Sequence, residues 1–177
     1  MKRLIWSVLS VVLLSAPAFA DGDRDRPHHR LHKGLTFKAV VSGAQEVPGN
    51  DSKGFGVIVA QFDPAFTRVY VDMRLRGLTG TFAASHFHCN RAGANGPVAL
   101  GLQSPGPLVF DGHRIAGVLT NENFPASDSC TDVIGRPITN IASLALAMRD
   151  GLVYVNVHTD VYPPGEVRGQ MLEVDND

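Results

Sequence analysis

The chain has 177 residues, a formal net charge of −1, 44% hydrophobic side chains and only two cysteines. That balance leaves no electrostatic footprint for nucleic acid or an anionic membrane surface. The length suits one domain with enough chain to bury a hydrophobic core.

Residues 1–20 have the pattern of a signal peptide. Lys2 and Arg3 give the cationic start, Leu4 to Leu14 the apolar stretch, and Ala18-Phe19-Ala20 a small-x-small cleavage site. The stretch is shorter than the roughly 20 residues that span a bilayer, and no later segment is long and apolar enough. Asp21 stands where a lipid-modified cysteine would have to be. A periplasmic or secreted protein is therefore expected. Residues 21–33 are polar, lack apolar periodicity and include His28, His29 and His32, so they are expected to be a disordered tail with no assigned role. The folded domain is expected over residues 34–175.

From Leu35 the pattern turns to period two. Leu35, Phe37, Ala39 and Val41 alternate with Thr36, Lys38 and Val40, and 54–62 reads as a second strand. In a third, Val69, Val71, Met73 and Leu75 face one way, and Arg68, Tyr70, Asp72, Arg74 and Arg76 the other. Further strands are predicted over 82–88, 97–102, 114–120, 152–158 and 166–174, punctuated by Gly and Pro clusters. One segment departs from the rule. Ile141, Leu144, Ala145 and Met148 have helical spacing, Thr139 or Asn140 can cap the start, and Gly151 can stop it. The expectation is an all-β antiparallel, Greek-key-like sandwich or barrel with one short helix over about 140–150.

Two segments carry the chemistry. His86 and His88 are two apart on a predicted strand, so both imidazoles project to one face while Phe87 turns into the core. Tyr154, Asn156 and His158 share the face opposite Val153, Val155 and Val157. If the two strands are neighbours, His158 completes a three-histidine metal site with an open position. Neutral imidazoles favour copper, ahead of zinc, and would release metal below about pH 6. Glu46, Asn156, Glu166 and Arg168 could orient an imidazole through its second nitrogen. Glu166 and Arg168 share a strand face and are expected rather to form a structural ion pair or bond a loop backbone. His113, in a predicted turn, is expected to face solvent, and the Asn95-Gly96-Pro97 turn is read as structural. In an oxidising compartment Cys89 and Cys130 are expected to pair, with Cys89 as a thiolate ligand beside His88 as the alternative.

The run His86-Phe87-His88-Cys89-Asn90-Arg91-Ala92-Gly93-Ala94-Asn95-Gly96-Pro97-Val98 resembles the signature of the CHRD (chordin-type) domain. Ser42-Gly43-Ala44-Gln45-Glu46-Val47-Pro48 is similar to the family's opening. Tyr154-Val155-Asn156-Val157-His158-Thr159, with Pro164-Gly165-Glu166-Val167-Arg168-Gly169-Gln170, is similar to its close. The resemblance spans about Leu35 to Leu172. It implies the β fold and an extracellular compartment, as for the domains of chordin, and leaves activity open. Cys89 departs from the family pattern, and with Cys130 suggests a subgroup whose loop is pinned by a disulfide. The His-x-His strand also resembles the copper strand of copper–zinc superoxide dismutase.

No Ser-His-Asp order, phosphate-cradling loop or carboxylate pair has a recognisable spacing, so binding is expected rather than catalysis. The leading expectation is an exported copper-binding module. The alternatives are an extracellular interaction module with structural histidines, its partner unspecified, and a superoxide-dismutase-like redox enzyme.

Overall fold

The computed structural model describes residues 34–174. The signal-peptide and tail readings lie outside these residues. Nine strands and two helices follow in chain order: β1 (Thr36–Ser42), β2 (Phe55–Phe62), β3 (Arg68–Arg76), β4 (Phe82–Cys89), β5 (Val98–Gln103), β6 (Arg114–Thr120), α1 (Thr131–Ile134), α2 (Ile141–Arg149), β7 (Val153–Thr159), β8 (Val167–Gln170) and β9 (Leu172–Glu173). All pairings are antiparallel, in the order β5-β4-β7-β8-β1-β2-β3-β6, with β9 paired to β1. The sheet curls into a nearly closed barrel. Its two ends, β5 and β6, are linked by the segment Pro107–Phe110, which bridges Gln103 on one side and Ile115 on the other.

Alternation explains the interior. In β3, Val69, Val71, Met73 and Leu75 are buried between exposed or half-exposed neighbours. Phe37 from β1 and Phe62 from β2 meet edge-on inside, 5.6 Å between ring centres. Burying side chains of this size stabilises by about 1.5–3 kcal/mol each. α2 covers this core with Ile141, Leu144, Ala145, Ala147 and Met148. Its cap is Asn140, whose Oδ1 accepts from the Ser143 amide at 2.8 Å, while Ser143 Oγ accepts from the Asn140 amide at 3.1 Å. Gly151 then leaves the helix at φ 67°, a conformation that favours glycine.

The strand predicted over 166–174 is two strands. β8 pairs mainly with β7 and β9 pairs with β1, the break falling at Met171, whose amide donates to the Val153 carbonyl. The chain thereby changes partner within a single hydrophobic run.

β7 does not alternate: six of its seven residues are buried. One face meets the core. The other is roofed by three loops, 43–50, 90–97 and 160–165, and this roof makes the site.

Candidate metal centre

The β4–β7 register sets His86 across from Asn156, His88 across from Tyr154, and Ala84 across from His158. His158 is therefore diagonal to His86 on the same face, within reach of a long side chain. Phe87 and Cys89 point the other way and are fully buried. Ring centres of His86 lie 5.0 Å from His158 and 5.5 Å from His88, and those of His88 and His158 are 6.0 Å apart. One nitrogen from each ring falls within 4.8 Å of the other two.

Backbone carbonyls decide which nitrogens these are, because a carbonyl only accepts. His88 Nδ1 donates to the Gly96 carbonyl at 2.9 Å, and His158 Nδ1 to the Pro163 carbonyl at 2.9 Å. His86 Nε2 faces the Ser104 carbonyl at 3.4 Å. In the tautomer with all three protons on the carbonyl side, the one able to bind a metal, the lone pairs left are His86 Nδ1, His88 Nε2 and His158 Nε2. His86 Nδ1 is 3.2 Å from His158 Nε2. Two nitrogens bound tetrahedrally at about 2.0–2.1 Å to one ion would be separated by about 3.3 Å. His88 Nε2 is buried without a hydrogen-bond partner among the described residues. Metal-ligating histidines commonly tie their second nitrogen to a carbonyl in this way, which fixes tautomer and ring direction.

Electrostatics agree with neutral rings. Burial pushes His88 down to about 4, opposed by its Gly96 carbonyl. His86 is lowered by burial and then by the neighbouring His158, and His158 is lowered by burial. A neutral imidazole is the form that binds metal.

The remaining polar residues hold the roof in place. Tyr154 stacks on His88, with ring centres 5.0 Å apart and planes within 10°. On the other side of Tyr154 lies the Arg168 guanidinium, 3.4 Å from the ring centre. Arg168 is buried, and donates to Asn95 Oδ1 and to the carbonyls of Arg91 and Ala94. It thus holds the glycine-rich loop whose Gly96 orients His88. Glu46 accepts from Asn156 Nδ2 through both carboxylate oxygens, at 3.1 and 3.0 Å. Burial pushes the Glu46 carboxyl up to about 7, against the Asn156 hydrogen bond and the Arg168 charge. Glu166 is fully buried and accepts from Ser52 Oγ, the Thr79 amide and Thr159 Oγ1. Between Glu166 and Arg168 the loop-bonding alternative holds.

A cavity of about 340 Å³ opens beside the cluster, lined by Glu46, His88, Tyr154, Asn156, Tyr162 and Gly165 among others. Cys89 is bonded to Cys130, so it is not a thiolate ligand. His113 is exposed beside Asp111, away from the cluster. His28, His29 and His32 lie outside the described residues. Sequence reasoning missed the carbonyls of Gly96, Ser104 and Pro163, since backbone acceptors leave no residue-type signal. It also read the Asn95–Pro97 turn as structural only, although Gly96 holds His88. A glycine-rich turn directly after a His-x-His strand was the available clue.

Among the described residues no helix is long and apolar enough to cross a membrane. Comparison with curated proteins and with solved structures found no match. The CHRD domain family matches residues 37–171, which covers β2 to β8, all of β1 but Thr36, both helices and all three histidines. On that span the chain belongs to the CHRD domain family.

Proposed function

We propose that this protein is an exported metal-binding module that holds copper through His86 Nδ1, His88 Nε2 and His158 Nε2. The observation that carries the reading is the proton inventory. Carbonyls face one nitrogen of each ring, and the three rings bring one nitrogen each within 4.8 Å of the other two. Without metal the His86 proton can bridge Nδ1 to His158 Nε2, and a cation placed between the nitrogens takes the place of that bond. Three imidazoles with no thiolate favour copper over zinc by the general stability order of divalent ions. Export is supported by the pattern of residues 1–20 and by the Cys89–Cys130 disulfide, a bond that persists in oxidising compartments.

Isothermal titration of the mature protein with copper and zinc tests this. The expected result is one tight copper site, lost in the His86→Ala/His88→Ala variant and kept when His28, His29 and His32 are replaced by alanine. Unchanged affinity in the first variant, or loss of the tight site in the second, would sink it. Crystals soaked with copper give the position directly. Anomalous scattering at the copper edge should place a peak about 2.0 Å from the three named nitrogens.

A further inference from the structure

The face that carries the three histidines also carries Asn156, directly across from His86 in the β4–β7 register. Its amide is not free to turn. Nδ2 donates to both oxygens of Glu46, so Oδ1 is left as the free end. That oxygen is buried and has no hydrogen-bond partner among the described residues, as is true of His88 Nε2. Buried acceptors are nearly always satisfied, so an unsatisfied one on a binding face points to a missing donor. The loop above packs closely on this amide. A Cβ on Gly165 would come within 2.6 Å of Asn156 Nδ2, 2.7 Å of Oδ1 and 2.8 Å of Glu46 Oε1.

We infer that Asn156 Oδ1 accepts a hydrogen bond from the ligand in the open position of the metal, and so selects a neutral, proton-donating ligand, water first, over anions. The inference rests on the three-histidine centre proposed above. The amide's only donor group is turned to Glu46, so an incoming anion meets the negative end of the amide dipole. It also meets the Glu46 carboxyl, which carries a negative charge when ionised. A water, alcohol or amine can donate its proton to Oδ1 while its lone pair faces the metal. The cavity lined by Glu46, His88, Tyr154 and Asn156 is the approach for such a ligand.

The test uses the copper(II)-loaded mature protein and azide, a small anion whose charge-transfer absorbance reports direct binding to copper. Azide should bind about tenfold more tightly to Asn156→Leu than to the natural protein, the scale of one lost polar contact. Pulsed electron resonance of the natural protein in H2O and D2O should reveal a strongly coupled exchangeable proton on a copper ligand, weakened in the variant. Equal azide affinity overturns the inference and leaves the centre standing, and so does a natural centre without the coupled proton. Failure of the natural protein to load copper on its three histidines overturns both readings. If Asn156→Leu does not fold, Asn156→Ala and the proton measurement on the natural protein give the decision.

Discussion

His86 Nδ1 stands 3.2 Å from His158 Nε2, and the His158 proton is already committed to the Pro163 carbonyl. Without metal, a hydrogen bond across that gap requires the proton of His86 to sit on Nδ1. The weaker contact of His86 Nε2 with the Ser104 carbonyl, at 3.4 Å, is then given up. Metal loading should move this proton to Nε2 and restore that contact. Nitrogen-15 shifts of the metal-free protein should therefore report the Nδ1–H tautomer for all three rings, and loading should convert His86 alone. A His86 that keeps one tautomer throughout, or a His88 that changes, contradicts the geometry.

Glu46 and His88 pull the pH dependence of metal-free stability in opposite directions. His88 falls from an ordinary value near 6.5 to about 4, so its unfolded form binds more protons in that window. Its contribution is full above pH 6.5 and is lost as pH falls toward 4. Glu46 rises from 4.5 to about 7, so its folded form binds more protons. Its contribution is full below pH 4.5 and is lost as pH rises through 7. Each effect is worth about 2 kcal/mol between pH 7 and pH 5. Urea midpoints of Glu46→Gln should fall more steeply than those of the natural protein on going from pH 7 to pH 5. Those of His88→Gln should fall less or rise. Parallel slopes in all three proteins would contradict the assignment.

Arg168 ties β8 to the loop carrying Gly96 through three hydrogen bonds, beside one from Gln170 to the Asn90 carbonyl. Replacement by Lys keeps the charge but cannot serve Asn95, Arg91 and Ala94 together while lying flat on Tyr154. Arg168→Lys should lower stability by about 2–3 kcal/mol. It should also weaken metal binding by about tenfold, because carbonyl contacts of this kind orient ligating rings. Denaturation with and without copper separates the two effects.

Much of the fold could be read from residue spacing. Period-two runs located β1 and β3 because each has one face in the core, and of the two caps offered for α2, Thr139 or Asn140, the structure uses Asn140. The histidine face of β4 and β7 followed from the same parity. The pairing itself did not, because register depends on the partner strand: nothing in Tyr154–Thr159 says that His158 stands across from Ala84 rather than His86. The split between β8 and β9 was hidden for a similar reason, since each half satisfies one hydrophobic pattern against a different neighbour. Glu46 was flagged as a residue that could orient an imidazole. Its partner is Asn156, which lies 110 residues away in sequence.

The Cys89–Cys130 bond closes a loop over a sequence separation of 41, and Cys89 directly follows His88. Its removal in Cys89→Ser/Cys130→Ser should cost about 4 kcal/mol on a chain-entropy account. Four contacts hold the Cys130 end independently, since Asp128 accepts from the amides of Cys130, Thr131 and Ile138 and from Thr131 Oγ1. The variant should therefore still fold at low temperature and still load copper. Equal urea midpoints in the natural and double-serine proteins would rule out the stabilising role.

The bridging segment Pro107–Phe110 has a consequence for how copies of this domain meet. An unclosed sheet ends in two rows of unpaired amides and carbonyls, which are templates for a strand from another molecule. Here one short segment touches both rows, at Gln103 and at Ile115, and begins with a proline that has no amide hydrogen to offer. Neither end presents an uninterrupted ribbon, so crowding should not make these molecules polymerise edge to edge.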